Sequence, residues 1–412
     1  MMAPHAFRSV KAMDSILAGE RIDDLARFEV SRERGFLPET DPARTLPAAF
    51  AAWESLAHDL PKRIGAGRVR AAIETLPAAP VADLADGPYL RRAMQLLSYL
   101  GHAYVWGETL PVARIPRSIA VPWHAVATRL GRPPVLSYAS YALDNWRRID
   151  PAGPIALGNI AILQNFLGGL DEDWFIAVHI DIEAKAANIL RRIAPALDSA
   201  ARDDAVQVAR HLEAIAAALE TLVATLRRMP EGCDPYIYFH RVRPYIHGWK
   251  NNPALPDGVV YEGVAEYGGQ PQRFRGETGA QSAIVPALDA FLGVAHADDP
   301  LRAYLSEMRD YMPPAHRAFL AAIEAAPPLR PFVAHAGERH RALRQAYDSC
   351  VGQIERFRTV HLEFAASYIH KQAQSDGANP NAVGTGGTPF MAYLRKHRDE
   401  TAAHRIAGEA KS

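Results

Sequence analysis

Cysteine is nearly absent from this chain: among 412 residues only Cys233 and Cys350 occur, far apart and without a partner at metal-binding spacing. A disulfide framework, a zinc ribbon and a CxxCH attachment motif are thereby excluded, and a reducing cytoplasm is the expected compartment. Net charge is absent too, since 46 basic side chains cancel 46 acidic ones. Without a basic excess there is no broad electrostatic pull toward nucleic acid or an anionic membrane, so the expected partner is a small molecule. No apolar run reaches membrane-spanning length; residues 282–297 come nearest and are broken by Pro286 and Asp289. The first 13 residues carry His5, Arg8 and Lys11 but no apolar core, and do not read as a secretory signal. Alternation of valine, isoleucine and threonine is scarce, and no solenoid-length repeat is present.

Alanine, leucine, arginine and glutamate fill most windows, which predicts an all-α fold. Residues 89–106 place Leu90, Met94, Leu97, Leu100 and Tyr104 at three- and four-residue steps. Residues 203–226 do likewise with Val206, Val208, Leu212, Ile215, Leu219 and Leu222, so each segment is expected to bury one helical face. Proline and glycine punctuate residues 150–173 around a short apolar stretch. A division there gives a small N-terminal helical domain, residues 1–160, and a large helical domain, residues 161–412. Residues 253–280 hold six glycines and few helix signals, the composition of a functional cover or a disordered loop.

Between residues 339 and 374 there is no proline and only Gly352, which predicts one continuous helix about 50 Å long. Tyr347, Cys350, Ile354, Phe357, His361, Phe364, Ala365 and Tyr368 recur at helical spacing and put His361 on the core-facing stripe. Two readings stand side by side. His361 is either a buried histidine satisfied by a hydrogen bond, or an iron ligand that leaves the opposite face open to dioxygen. Arg358, one turn earlier, can meet an acidic partner or a haem propionate.

Two further segments carry polar chemistry. Phe239 and Arg243 are four residues apart in an aromatic stretch, where a guanidinium can grip a carboxylate while a ring packs an aromatic ligand. The competing reading is a surface arginine with its stem laid on rings. Gly384-Thr385-Gly386-Gly387-Thr388 can cradle an anion with backbone amides or serve as a flexible linker before a helix over 389–398; it is neither a Walker A loop nor a dinucleotide fingerprint.

Taken in order, several segments make the chain resemble the indoleamine 2,3-dioxygenase family from about residue 90 to about residue 398. They are Ser137-Tyr138-Ala139, Asp144-Asn145-Trp146, Trp174-Phe175 leading to Glu183, and Arg243-Pro244-Tyr245-Ile246-His247-Gly248-Trp249-Lys250. Asn252-Pro253, residues 257–263, Gly279-Ala280-Gln281-Ser282, residues 304–317, His361 and the 384–388 glycine turn follow. Residues 311–317 and the Gly248-Trp249-Lys250 step are the most specific.

The resemblance implies an all-α fold in which a small domain caps a large domain that binds haem b. It implies an oxidoreductase that inserts both atoms of dioxygen across the indole 2,3 bond of L-tryptophan, or a close indole, giving N-formylkynurenine for the kynurenine pathway of tryptophan catabolism. An electron donor to reduce the iron is implied as a partner; the sequence fixes no oligomeric state. By resemblance His361 is the proximal iron ligand and Arg243 the substrate carboxylate clamp. Tyr138, Phe175, Phe239 and Gly279 surround the distal pocket, with Gly384 and Thr385 near a haem propionate and the substrate ammonium, and Asp289 pairs with Arg358 at the haem edge. Three positions depart from the animal enzymes: His179 stands in place of a small serine, Tyr141 in place of a cysteine and Tyr238 in place of a phenylalanine. A distal imidazole at 179 has a catalytic role open to it, toward dioxygen or the indole nitrogen. A haem enzyme of this fold acting on another indole, a haem-based gas or redox sensor, and a cofactor-free helical scaffold are the alternatives.

Overall fold

The computed structural model describes residues 22–298, 300–375 and 390–406. Helices dominate, as the composition predicts. The strands among the described residues are two or three residues long. β1 (Arg114–Ile115) lies parallel to β4 (Val260–Tyr261), and β2 (Trp146–Arg148) pairs antiparallel with β3 (Ile160–Ile162), Trp146 opposite Ile162. They pin loops rather than form a layer.

Two apolar cores organise the chain. The first is built on α1 (Pro88–Trp106) and α2 (Arg117–Leu130), where Leu90, Met94, Leu97, Leu100 and Tyr104 are all buried as the spacing requires. Gly101 lets the two helices approach: a Cβ there would lie 2.2 Å from the Trp123 ring. The second core joins α3 (Leu170–Ala201), α4 (Ala205–Arg227), α5 (Ile284–Leu292), α6 (Pro314–Ala325) and α7 (Arg341–Ala365), with α4 packed between α3 and α7.

Asp204 starts α4 by accepting the Gln207 backbone N–H at 3.0 Å, satisfying one donor that the first turn leaves unpaired. Val208, Leu212, Ile215, Leu219 and Leu222 are buried, each side chain contributing about 1.5–3 kcal/mol. Val206 is the exception to the expected face and is 53% exposed, because a residue two steps from Val208 cannot share its side of a helix.

The cores exchange segments along the chain. Leu25, Phe28 and Phe36 pack into the second core, while Trp249, Val259 and Tyr261 pack into the first. The division proposed after residue 160 falls within β3, shortly before α3 begins.

The long helix predicted over 339–374 is one run with an interruption: α7 passes into a π turn, Ala366–His370, and then a last turn, Lys371–Ser375. Two other π turns occur at Ala139–Leu143 and Tyr238–Val242. The helix expected over 389–398 is observed as α8 (Phe390–Ala402). No helix among the described residues is long and apolar enough to cross a membrane.

Candidate functional site: an aromatic cavity between two histidines

A cavity of about 340 Å³ opens between α3, α7, α8 and the 277–289 segment. This is within the range of small-molecule sites. From α3 come Phe175, His179 and Ile182; from α7 come Phe357, Arg358, His361 and Phe364. The π turns bring tyrosines to the cavity: Tyr238 and Tyr368 lie within two of them, and Tyr138 immediately precedes the third. A π turn widens the helix by one residue and re-aims the side chains beside it, which is why such turns gather at sites.

The rings form an unbroken chain. Tyr138 meets His179 edge-on at 5.9 Å, His179 meets Phe175 at 4.6 Å, and Phe175 meets Tyr238 at 4.6 Å. Tyr238 meets Tyr368 at 5.8 Å, and Tyr368 meets Phe364 at 5.7 Å. Such a wall suits a flat aromatic ligand.

His361 carries appreciable accessible surface, yet protein encloses it; that surface faces the cavity. Enclosure, with His179 nearby, pushes its pKa down to about 4, so the imidazole is neutral at physiological pH. Neither ring nitrogen takes a hydrogen bond among the described residues. The reading of a hydrogen-bonded core histidine therefore loses its support, and a neutral nitrogen facing an apolar-walled space fits the haem ligand that the resemblance implies.

Across from it, His179 places Nδ1 2.7 Å from the carbonyl oxygen of Phe175, and burial lowers its pKa. Tyr138 donates its hydroxyl to Glu183 Oε1 at 2.9 Å, and Ser282 donates to the same oxygen at 2.7 Å. Burial raises the Glu183 carboxyl to about 7.

At the rim, Arg358 stands 2.6 Å from Asp289 and also donates to Thr401 of α8. The guanidinium holds the Asp289 carboxyl below its ordinary range against the opposing effect of burial. A cation fixed at the mouth of an apolar cavity suits the propionates of a haem.

Gly279 lines the cavity, whereas Arg243 and Phe239 do not. Asp234 caps their segment by accepting from Tyr236 N at 2.8 Å and Ile237 N at 3.1 Å. Arg243 sits 5.5 Å from the Phe239 ring centroid, beside Tyr238, which does face the cavity. Both are buried, so the surface-arginine reading is set aside; burial pushes the Arg243 pKa down to about 10. Gly384 and Thr385 lie outside the described residues.

Sequence reasoning missed Glu277, a buried carboxyl on the cavity wall raised to about 8 by burial. Its backbone N–H bonds Ile246 O at 3.1 Å, tying it to the short helix Arg243–Ile246. That pairing rests on Gly248 and Gly276, whose backbones touch: a Cβ on Gly248 would lie 2.1 Å from Gly276 N. Tertiary contact alone brings Glu277 against the Arg243–Ile246 helix, and no local pattern announces it.

Comparison with known proteins agrees with this architecture. The family model described as indoleamine 2,3-dioxygenase matches residues 24–404. The chain is 36% identical over 391 residues to indoleamine 2,3-dioxygenase 1 of Rattus norvegicus, covering 92% of this chain and 94% of that protein. It is 33% identical to indoleamine 2,3-dioxygenase 2 of Homo sapiens, with the same two coverages. It is 34% identical to an indoleamine 2,3-dioxygenase of Aspergillus nanangensis, covering 92% of this chain and 96% of the relative. A match of nearly the whole chain, on an all-helical frame, makes it a member of the indoleamine 2,3-dioxygenase family, the oxidoreductases that are haem dioxygenases.

Proposed function

We propose that the chain cleaves the indole 2,3 bond of L-tryptophan with dioxygen, giving N-formylkynurenine, with haem b held through His361. One observation carries the reading: the neutral imidazole of His361, unbonded among the described residues, and the imidazole of His179 share one aromatic-walled cavity. Haem, when bound, supplies the activation of dioxygen and the redox chemistry.

The chain's own residues bind and orient. The ring chain packs the indole and excludes water. The Phe175 carbonyl can only accept, so Nδ1 of neutral His179 carries the proton and Nε2 is an acceptor available to the indole N–H. Arg243, buried beside the cavity-lining Tyr238, is the group for a substrate carboxylate, and Glu277 the group for its ammonium. A bound ammonium favours the ionised carboxylate and lowers the raised pKa of Glu277. Phe239 holds the Arg243 guanidinium over its ring face. An electron donor that reduces the iron completes the partner list.

The test is a reduced, haem-loaded preparation given L-tryptophan under oxygen-18. N-formylkynurenine carrying two labelled atoms is the expected product. A chain that stays colourless after haem loading, or a product with a single label, overturns the reading; conversion of a different indole alone overturns the substrate.

A further inference from the structure

Behind the cavity rim lies a cluster that the reaction does not use. His296 follows α5, while His397 and Glu400 lie three residues apart on one face of α8. One ligand atom from each of His296, His397 and Glu400 lies within 4.8 Å of the others. His296 Nδ1 is 2.7 Å from Glu400 Oε2, and its Nε2 is 3.2 Å from Asp289 Oδ2. The His397 ring stacks on His296 at 4.3 Å and 23°.

Two features point past an ordinary ion pair. His397 Nε2 is buried and has no hydrogen-bond partner among the described residues, although its ring lies against that of His296. Asp289 also sits where an orienting carboxylate belongs, on the nitrogen of His296 opposite to Glu400, the carboxylate–histidine–metal arrangement that fixes a ligand's tautomer. A protonated His296 clasped by two carboxylates explains the two short contacts but leaves His397 Nε2 unexplained.

We propose that His296, His397 and Glu400 bind a divalent transition-metal ion of the zinc class, with Asp289 orienting His296. Two imidazoles and one carboxylate form a three-ligand zinc set, and tetrahedral bonds of about 2.0–2.1 Å bring ligand atoms to roughly 3.4 Å apart. Side-chain rotation reaches that spacing, opening the 2.7 Å His296–Glu400 contact and closing the wider separations, which are all within 4.8 Å. Two cations stand near, and neither blocks the ion. Arg358 is engaged by Asp289 at 2.6 Å, and Lys396 reaches Glu400 Oε1 at 3.4 Å on a flexible, 36% exposed side chain that can swing away. The ion would fasten α8, which gives Tyr393, Leu394 and His397 to the cavity wall, onto the end of α5.

The full-length holoprotein, dialysed against a chelator, is titrated with zinc chloride by calorimetry, and haem is counted separately from its absorption. One zinc per chain is expected. His397→Ala and Glu400→Gln should each weaken zinc binding at least tenfold without changing the far-ultraviolet circular dichroism, and Glu400→Gln, at a position that does not line the cavity, should also keep the haem count. His397→Gln, which keeps size and polarity, serves if the alanine variant fails to fold. Magnesium in millimolar excess should not compete, because two imidazole donors disfavour it. Absent saturable zinc binding overturns the site, as does zinc affinity that survives in both the His397 and Glu400 variants. Haem content reports on the iron ligand independently, so failure of the zinc site and failure of the dioxygenase reading give different results.

Discussion

His179 Nδ1 and the backbone carbonyl oxygen of Phe175, one helical turn earlier, are 2.7 Å apart. The contact fixes the tautomer of the neutral ring, so Nε2 can accept a hydrogen bond but cannot donate one. Losing one neutral hydrogen bond costs about 1 kcal/mol, or roughly fivefold in kcat/KM. His179→Ala should therefore slow indole turnover by about that factor. Methylating the indole nitrogen should penalise the unsubstituted protein similarly and the variant hardly at all. Penalties that simply add in a four-way kinetic comparison would sink the contact.

His361→Ala should abolish stoichiometric haem, since His361 is the one histidine within α7. Added imidazole should restore a Soret band by entering the vacated space. A variant that keeps a five-coordinate haem spectrum without imidazole places the ligand elsewhere.

Arg243 is buried beside Tyr238 and stacked on Phe239. A charge-assisted hydrogen bond is worth about 1.5–3 kcal/mol, so Arg243→Ala should raise KM for L-tryptophan roughly ten- to hundredfold while the haem spectrum stays intact. Arg243→Lys should recover part of that loss. Unchanged substrate affinity in the alanine variant refutes the clamp.

The Glu277 carboxyl keeps its proton up to about 8 in the folded chain, against an ordinary value of 4.5. The folded state therefore binds the extra proton between those values. The stabilisation is complete below the ordinary value and is lost as pH rises through about 8. Glu277→Gln, which cannot ionise, should gain in melting temperature on the parent protein as pH rises from about 5 to 8.5 at equal haem occupancy. A constant offset between the two curves would mean that the carboxyl ionises normally.

Gly248→Ala tests the backbone contact that holds the Glu277 segment against the Arg243–Ile246 helix. Its Cβ would meet the Gly276 nitrogen at 2.1 Å, and backbone cannot step aside cheaply. A loss of about 1–3 kcal/mol in denaturant unfolding is expected, together with a raised KM. Full stability would show that the two segments have room to separate.

The helices were legible because their signal is local. The spacing of Leu90, Met94, Leu97 and Leu100, or of Tyr347, Cys350 and Ile354, states the buried face without any knowledge of neighbours. His361 could be placed on its stripe by the same rule, although its missing hydrogen bond could not. The π turns escaped notice, since one extra residue in a helix leaves the amino-acid pattern almost unchanged. Glu277, His296, His397 and Glu400 escaped because they are ordinary polar residues in ordinary surroundings until distant segments meet. Their chemistry is a property of contact, carried by touching glycines at 248 and 276 in one case and by α8 packed along α7 in the other.

Tyr238 and Tyr368 each lie in a π turn set within a longer helical run, one surplus residue in an otherwise regular coil, while Tyr138 immediately precedes a π turn that stands by itself. Deleting one residue from either run would return the coil to its usual pitch and turn everything beyond it by about 100°. The cavity is thus adjustable by length as well as by lettering: a one-codon deletion in either helical run reshapes its lining without changing the identity of any residue left in the wall.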